Sequence, residues 1–105
     1  MKEIGPKELK TMKDAKEDFQ LIDVREAGEI AVSSLGGLHI PMGDVLGRVN
    51  EIAKDKKVII HCRSGKRSAA VIQALEAEHK FTNLYNLRGG ILAYADEVDP
   101  SIARN

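Results

Sequence analysis

Cys62 is the only cysteine in the 105-residue chain, and its neighbours are the residues most able to do chemistry. The segment Val58-Ile59-Ile60-His61-Cys62-Arg63-Ser64-Gly65-Lys66-Arg67-Ser68-Ala69-Ala70-Val71 reads as a buried strand running into a helix through a cysteine-led loop. Arg63, Lys66 and Arg67 put cations beside the thiol, and the helix that follows offers it unpaired N–H groups. Both influences favour the thiolate, the nucleophilic form of cysteine. In a tight loop, inward-pointing backbone N–H groups would stabilise the terminal sulfur of a persulfide as they would an oxyanion. Gly65 helps such a loop to turn, and Ser64 and Ser68 could add hydroxyl donors. Ser68 is read first as the N-cap of the following helix. The competing reading makes Cys62 a small buried hydrophobe and the cations a solvated surface. Three cations within the five residues from Arg63 to Arg67 favour reactivity.

Two other patterns in this segment lead nowhere. His61 adjoins Cys62, but neighbours on an extended strand point to opposite faces, so His61 is expected in the core and not as a base for the thiol. Gly65-Lys66 matches the end of a nucleotide-binding P-loop, yet Ile60 stands at the earlier glycine position and Arg67 at the hydroxyl position. His39, His61, His79 and Cys62 form no recognised metal-ligand spacing, and neither metal nor other cofactor is expected.

The elements that must position this loop follow from period and punctuation. Gln20-Leu21-Ile22-Asp23-Val24 and Lys57-Val58-Ile59-Ile60-His61 are short β-branched runs bounded by charges, which suits buried strands. Leu38-His39-Ile40 and Asn83-Leu84-Tyr85-Asn86-Leu87 are weaker strand candidates. Pro6 to Lys16, Asp44 to Lys54 and Ser68 to His79 read as helices, the last with Ala69, Ile72, Leu75 and Ala77 at helical spacing. Strands alternating with helices predict a parallel sheet covered on its faces, with ligands beyond the carboxyl ends of its strands. Gly36-Gly37 and Gly89-Gly90 are read as turns. The tail from Asp99-Pro100 is expected either to wrap the domain or to fray.

Composition bounds the function. With 43% hydrophobic and 30% charged residues the chain is expected to fold alone as one domain, residues 1–105. Lys plus Arg and Asp plus Glu both total 16, which argues against nucleic acid or an anionic membrane as partner. No apolar run approaches the roughly 20 residues of a membrane span, and Met1-Lys2-Glu3-Ile4 opens no signal peptide. A lone cysteine fits a reducing compartment, so a cytoplasmic location is expected, with a monomer as the default state.

On these residues the chain resembles the rhodanese family, from Leu21-Ile22-Asp23-Val24-Arg25-Glu26 to Leu87-Arg88-Gly89-Gly90. That family's loop, counted from the cysteine, has the length of Cys62 to Arg67, whereas a related dual-specificity phosphatase and arsenate-reductase branch has one residue more. A sulfur atom needs a smaller cradle than a phosphoryl group. The resemblance implies a three-layer α/β/α domain around a central, mainly parallel five-stranded sheet. It also implies thiosulfate sulfurtransferase activity, with Cys62 as persulfide carrier. Arg63, Ser64, Gly65, Lys66 and Arg67 would then form the active loop that binds the sulfane sulfur and a small anionic donor. The acceptor would be cyanide, a thiol or a protein. Asp23 and Arg25 resemble the family's pair at the end of a neighbouring strand and are carried over as supporting residues with Ser68. A structural salt bridge or helix cap is the plainer reading of that pair.

The sequence departs from the family between Glu29 and Pro41, where an aromatic and a Gly-His-Ile-Pro-Gly-Ala run are usual. Its closing Gly89-Gly90-Ile91-Leu92-Ala93-Tyr94-Ala95-Asp96-Glu97-Val98-Asp99-Pro100 is similar to the end of the rhodanese domains of molybdopterin-synthase adenylyltransferases, with Tyr94 for their Trp, which points to a protein acceptor. The same stretch reads as a helix packing Ile91, Leu92 and Tyr94 on the sheet. Two rival functions stand beside sulfur transfer: a non-catalytic binding or regulatory module, and a cysteine-dependent phosphatase or arsenate reductase.

Overall fold

The computed structural model describes residues 1–104. Five parallel strands form one sheet in the order β1-β5-β4-β2-β3, where β1 is Glu3–Ile4, β2 Gln20–Asp23, β3 Leu38–His39, β4 Val58–His61 and β5 Leu84–Leu87. The α/β expectation is met. The β4 run is central because it can be: Val58, Ile59, Ile60 and His61 are all fully buried, so both of its faces must be covered by protein. Each such aliphatic side chain withdrawn from water contributes roughly 1.5–3 kcal/mol.

Alternation along β4 divides the core in two. Val58, Ile60 and Cys62 face α3, Lys66–His79, through Val71, Ile72 and Leu75, together with Val45 and Ile52. Ile59 faces the other way, where Leu9 and Met12 of α1, Pro6–Asp14, meet Ile91 and Tyr94 of α4, Gly90–Glu97. Tyr94 and Ile91 are buried on the sheet as expected, and Leu92 is half-buried. The tail wraps: Ile102 packs against the α1–α4 core, and Arg104 pairs with Asp96.

Two expectations need correction. Asp44 to Lys54 is not an α-helix but a pair of 3-10 turns, Met42–Gly47 and Val49–Glu51. Gly47 weakens the helix there and Arg48 leaves the helical region at φ −128°, ψ 27°, so the chain turns tightly enough to bury only Val45 and Ile52. Helix α3 begins at Lys66, two residues before Ser68, with Gly65 as its N-cap at φ 101°. Ser68 therefore lies inside the first turn and caps nothing. A further short helix, α2 (Ala27–Val32), had no periodic signal in the sequence and buries no residue.

Chain direction fixes where a site can form. From β2 the chain moves outward to β3, and from β4 it moves the other way to β5, so the loops after β2 and β4 diverge at the carboxyl end of the sheet. Such a switch point opens a crevice in parallel sheets.

Candidate active site

Cys62 follows β4 at this crevice, and its sulfur is enclosed by the turn into α3. Gly65 N–H donates to Sγ at 3.1 Å and Ser68 N–H at 3.4 Å, while the Ser68 hydroxyl lies 3.4 Å from it. Burial pushes the thiol pKa up, but the Ser68 hydroxyl, when its hydrogen is turned to sulfur, and the N–H groups of Ser68, Gly65 and Ser64 outweigh it, and the net shift is downward. The ring of donors inferred from the sequence is thus present, and Ser68 belongs to it by being within the helix. Its N–H is one of the first-turn groups that have no carbonyl partner in the helix.

The loop can turn its N–H groups inward because its carbonyls are held outward. Ile91 N–H donates to Cys62 O at 3.0 Å and Leu92 N–H to Arg63 O at 3.1 Å, so the N-terminus of α4 takes up both carbonyls. This approach needs a glycine. Gly90 has φ 65°, and a Cβ there would come within 2.3 Å of Arg63 O and 2.7 Å of Cys62 O. The Gly89-Gly90 pair is more than a turn: it brings one helix terminus against the cysteine loop.

Asn86 was not singled out by the sequence, yet it joins this site. It is 4% exposed in the middle of β5, accepts a hydrogen bond from the Ser68 hydroxyl at 2.6 Å, and donates to Gly65 O at 3.1 Å. An amide between Tyr85 and Leu87 in an apolar strand was the available signal, since buried amides require partners.

The remaining candidates are distributed differently. Arg63 and Arg67 are half-buried, and Ser64 and Lys66 are exposed at the loop's surface. Arg67 forms a two-pronged ion pair with Glu29 of α2, at 2.7 and 2.8 Å, and Glu29 also accepts from Glu26 N–H at 3.0 Å. The Arg67 guanidinium is the main cause that lowers the Glu29 carboxyl to about 2, and Glu29 in turn raises the Arg67 pKa. One of the three loop cations is therefore already matched by an anion.

Asp23 and Arg25 lie away from the sulfur. Asp23 pairs in register with His61, whose side chain faces opposite to that of Cys62. Arg25 donates to both Asp23 oxygens, the shortest contact 2.8 Å, and to Ser33 O at 2.8 Å. Burial opposes the Asp23 charge, but Arg25 more than compensates and the carboxyl is held below its ordinary range. The salt-bridge reading describes this pair. His61 is fully buried, as expected, and both ring nitrogens lack a hydrogen-bond partner among the described residues; Nε2 is 3.6 Å from Asp23 Oδ2. Burial drives its pKa down to about 4, so the ring is neutral at neutral pH.

A family described as rhodanese-like domain matches residues 5–97. The chain is 40% identical over 88 residues to a sulfurtransferase of Allochromatium vinosum, covering 83% of this chain and 81% of that protein. It is 39% identical over 101 residues to Bacillus subtilis YtwF, covering 95% and 96%. A rhodanese-like domain protein of Staphylococcus aureus superposes with a TM-score of 0.82 at 33% identity, over 93% of this chain and 95% of that one. More distantly, 82% of the chain aligns at 24% identity with 20% of the Saccharomyces cerevisiae adenylyltransferase and sulfurtransferase UBA4.

Proposed function

The chain belongs to the rhodanese-like domain family, and on that premise we propose that it transfers sulfane sulfur through a persulfide on Cys62. The observation that carries the reading is the enclosure of Sγ by the N–H groups of Gly65 and Ser68 at the start of α3. These donors favour the thiolate and, after transfer, the anionic outer sulfur.

With thiosulfate as donor, the Cys62 thiolate attacks the sulfane sulfur, the new S–S bond forms, and sulfite departs with the electron pair of the bond that breaks. An acceptor then attacks the outer sulfur of the persulfide, and Cys62 leaves as a thiolate. Cyanide would yield thiocyanate; a thiol or a protein persulfide site would serve in the cell. Arg63, Lys66 and Arg67 supply the positive field that draws a small anion to the loop, while Ser64 and Gly65 shape it. The likeness of the closing stretch from Gly89 to Pro100 to the rhodanese domains of molybdopterin-synthase adenylyltransferases favours a protein acceptor. A lone thiol is best maintained in a reducing compartment such as the cytoplasm. Among the described residues, no helix is long and apolar enough to cross a membrane.

Intact-mass measurement after thiosulfate, and again after cyanide, tests the proposal on wild type and Cys62→Ser in parallel. Wild type should gain one sulfur atom and lose it to cyanide, while Cys62→Ser stays unchanged. If wild type gains nothing from thiosulfate or from a cysteine-desulfurase donor, the reading fails. Hydrolysis of an aryl phosphate that is lost in Cys62→Ser would put a phosphatase in its place.

A further inference from the structure

The hydrogen bonds around Ser68 have only one consistent direction. Gly65 O can only accept, so the Asn86 group 3.1 Å from it is the amide NH2. The Asn86 carbonyl oxygen must then face Ser68 Oγ, and at 2.6 Å it takes the single hydrogen of that hydroxyl. What Ser68 Oγ presents to Cys62 at 3.4 Å is therefore a lone pair. A lone pair can accept from an S–H but is repelled by a thiolate. To stabilise the thiolate, the hydroxyl must rotate its hydrogen toward sulfur and give up Asn86.

We propose that Asn86 is a positioning residue that turns the Ser68 hydroxyl away from Cys62 in the thiol and persulfide states and releases it to sulfur in the thiolate state. This rests on Cys62 being the reacting sulfur, as proposed above. Cys62, Ser68 and Asn86 are 1%, 0% and 4% exposed, so water does not substitute for either partner of the hydroxyl. In the thiol, the chain S–H to Ser68 to Asn86 is satisfied throughout. In the persulfide, Sγ carries no charge, and the hydroxyl again belongs to Asn86. Only the thiolate, the attacking species in one half-reaction and the leaving group in the other, sets the two acceptors in competition. Asn86 thus raises the cost of the state through which both half-reactions pass, opposing part of the stabilisation that the N–H donors give the thiolate.

The test is the pH dependence of iodoacetamide alkylation, which reads the thiol directly and requires no sulfur transfer. Asn86→Leu, which leaves the hydroxyl free to serve sulfur, should move the alkylation midpoint down by about one pH unit, a roughly tenfold gain in rate below the midpoint. In a Ser68→Ala background the same substitution should leave the midpoint unmoved, because the hydroxyl through which Asn86 acts is gone. A midpoint that rises or stays put in Asn86→Leu, or that shifts equally in both backgrounds, would overturn the proposal in favour of a purely structural clamp on Gly65. Should Asn86→Leu not fold by circular dichroism, wild-type protein decides. The Asn86 side-chain amide resonances should titrate with the alkylation midpoint, and resonances indifferent to pH through it refute the switch. Loss of thiosulfate-dependent mass gain with an intact alkylation profile would count against the sulfur-transfer reading alone.

Discussion

At the scale of single residues, charge on the loop is not the same as charge available to a ligand. Arg67 is one of three cations in the loop from Cys62 to Arg67, but Glu29 takes both prongs of its guanidinium. Replacing Glu29 by Gln should release that cation toward an anionic donor. The expected result is a KM for thiosulfate about fivefold lower at low ionic strength, an advantage that fades in high salt. Steady-state rates at two salt concentrations check this, and an unchanged KM would show that Arg67 does not face the donor. The pairing was invisible to local reading because its members are 38 residues apart and meet only when α2 is placed beside α3. Asn86 carries a local signal as an amide in an apolar strand, but its partners Ser68 and Gly65 lie 18 and 21 residues away and meet it only in the fold. Cys62, Gly65 and the loop's length were legible because they are consecutive, and consecutive residues carry their geometry with them.

At the scale of elements, the central strands and the long helices were readable, since β-branched runs and helical spacing are local signals. The connection after β3 was not, because 3-10 turns share apolar spacing with an α-helix over so short a span. Ser68 shows a subtler limit: its type suits a cap, but Gly65 at φ 101° starts the helix earlier. The contact between α4 and the cysteine loop turns on Gly90. Gly90→Ala meets backbone oxygens at 2.3 and 2.7 Å as well as a positive φ, and should cost at least about 3 kcal/mol in urea denaturation and most of the sulfur-transfer rate. Gly36→Ala has the same left-handed backbone, φ 81°, with open space around its Cβ, and should cost only about 1 kcal/mol with activity retained. Equal losses would mean that the close approach of α4 is unimportant.

At the scale of the whole molecule, a neutral imidazole in the middle of the sheet links folding to pH. Burial lowers the His61 pKa to about 4, whereas in the unfolded chain it lies near 6.5, so between these values the unfolded state binds the extra proton. Stability from this source is complete above about pH 6.5 and is lost as pH falls toward 4, by roughly 3 kcal/mol over the window. Glu29 adds a loss of the same sign at still lower pH, as its carboxyl titrates near 2. Urea midpoints measured from pH 7 to 4 should therefore fall for wild type and flatten in His61→Leu; parallel curves would acquit the histidine.

The sheet also ends abruptly on both sides. Its two edge strands, Glu3–Ile4 and Leu38–His39, are two residues long, while the strand that leads to Cys62 has neighbours on either flank. An exposed edge is the template on which another chain adds a strand, whether as a bound peptide or as the first rung of an aggregate. Here the edges offer almost no such template. Visitors to this protein are thus steered away from strand addition and toward the loops at the carboxyl end of the sheet, which is where the sulfur is.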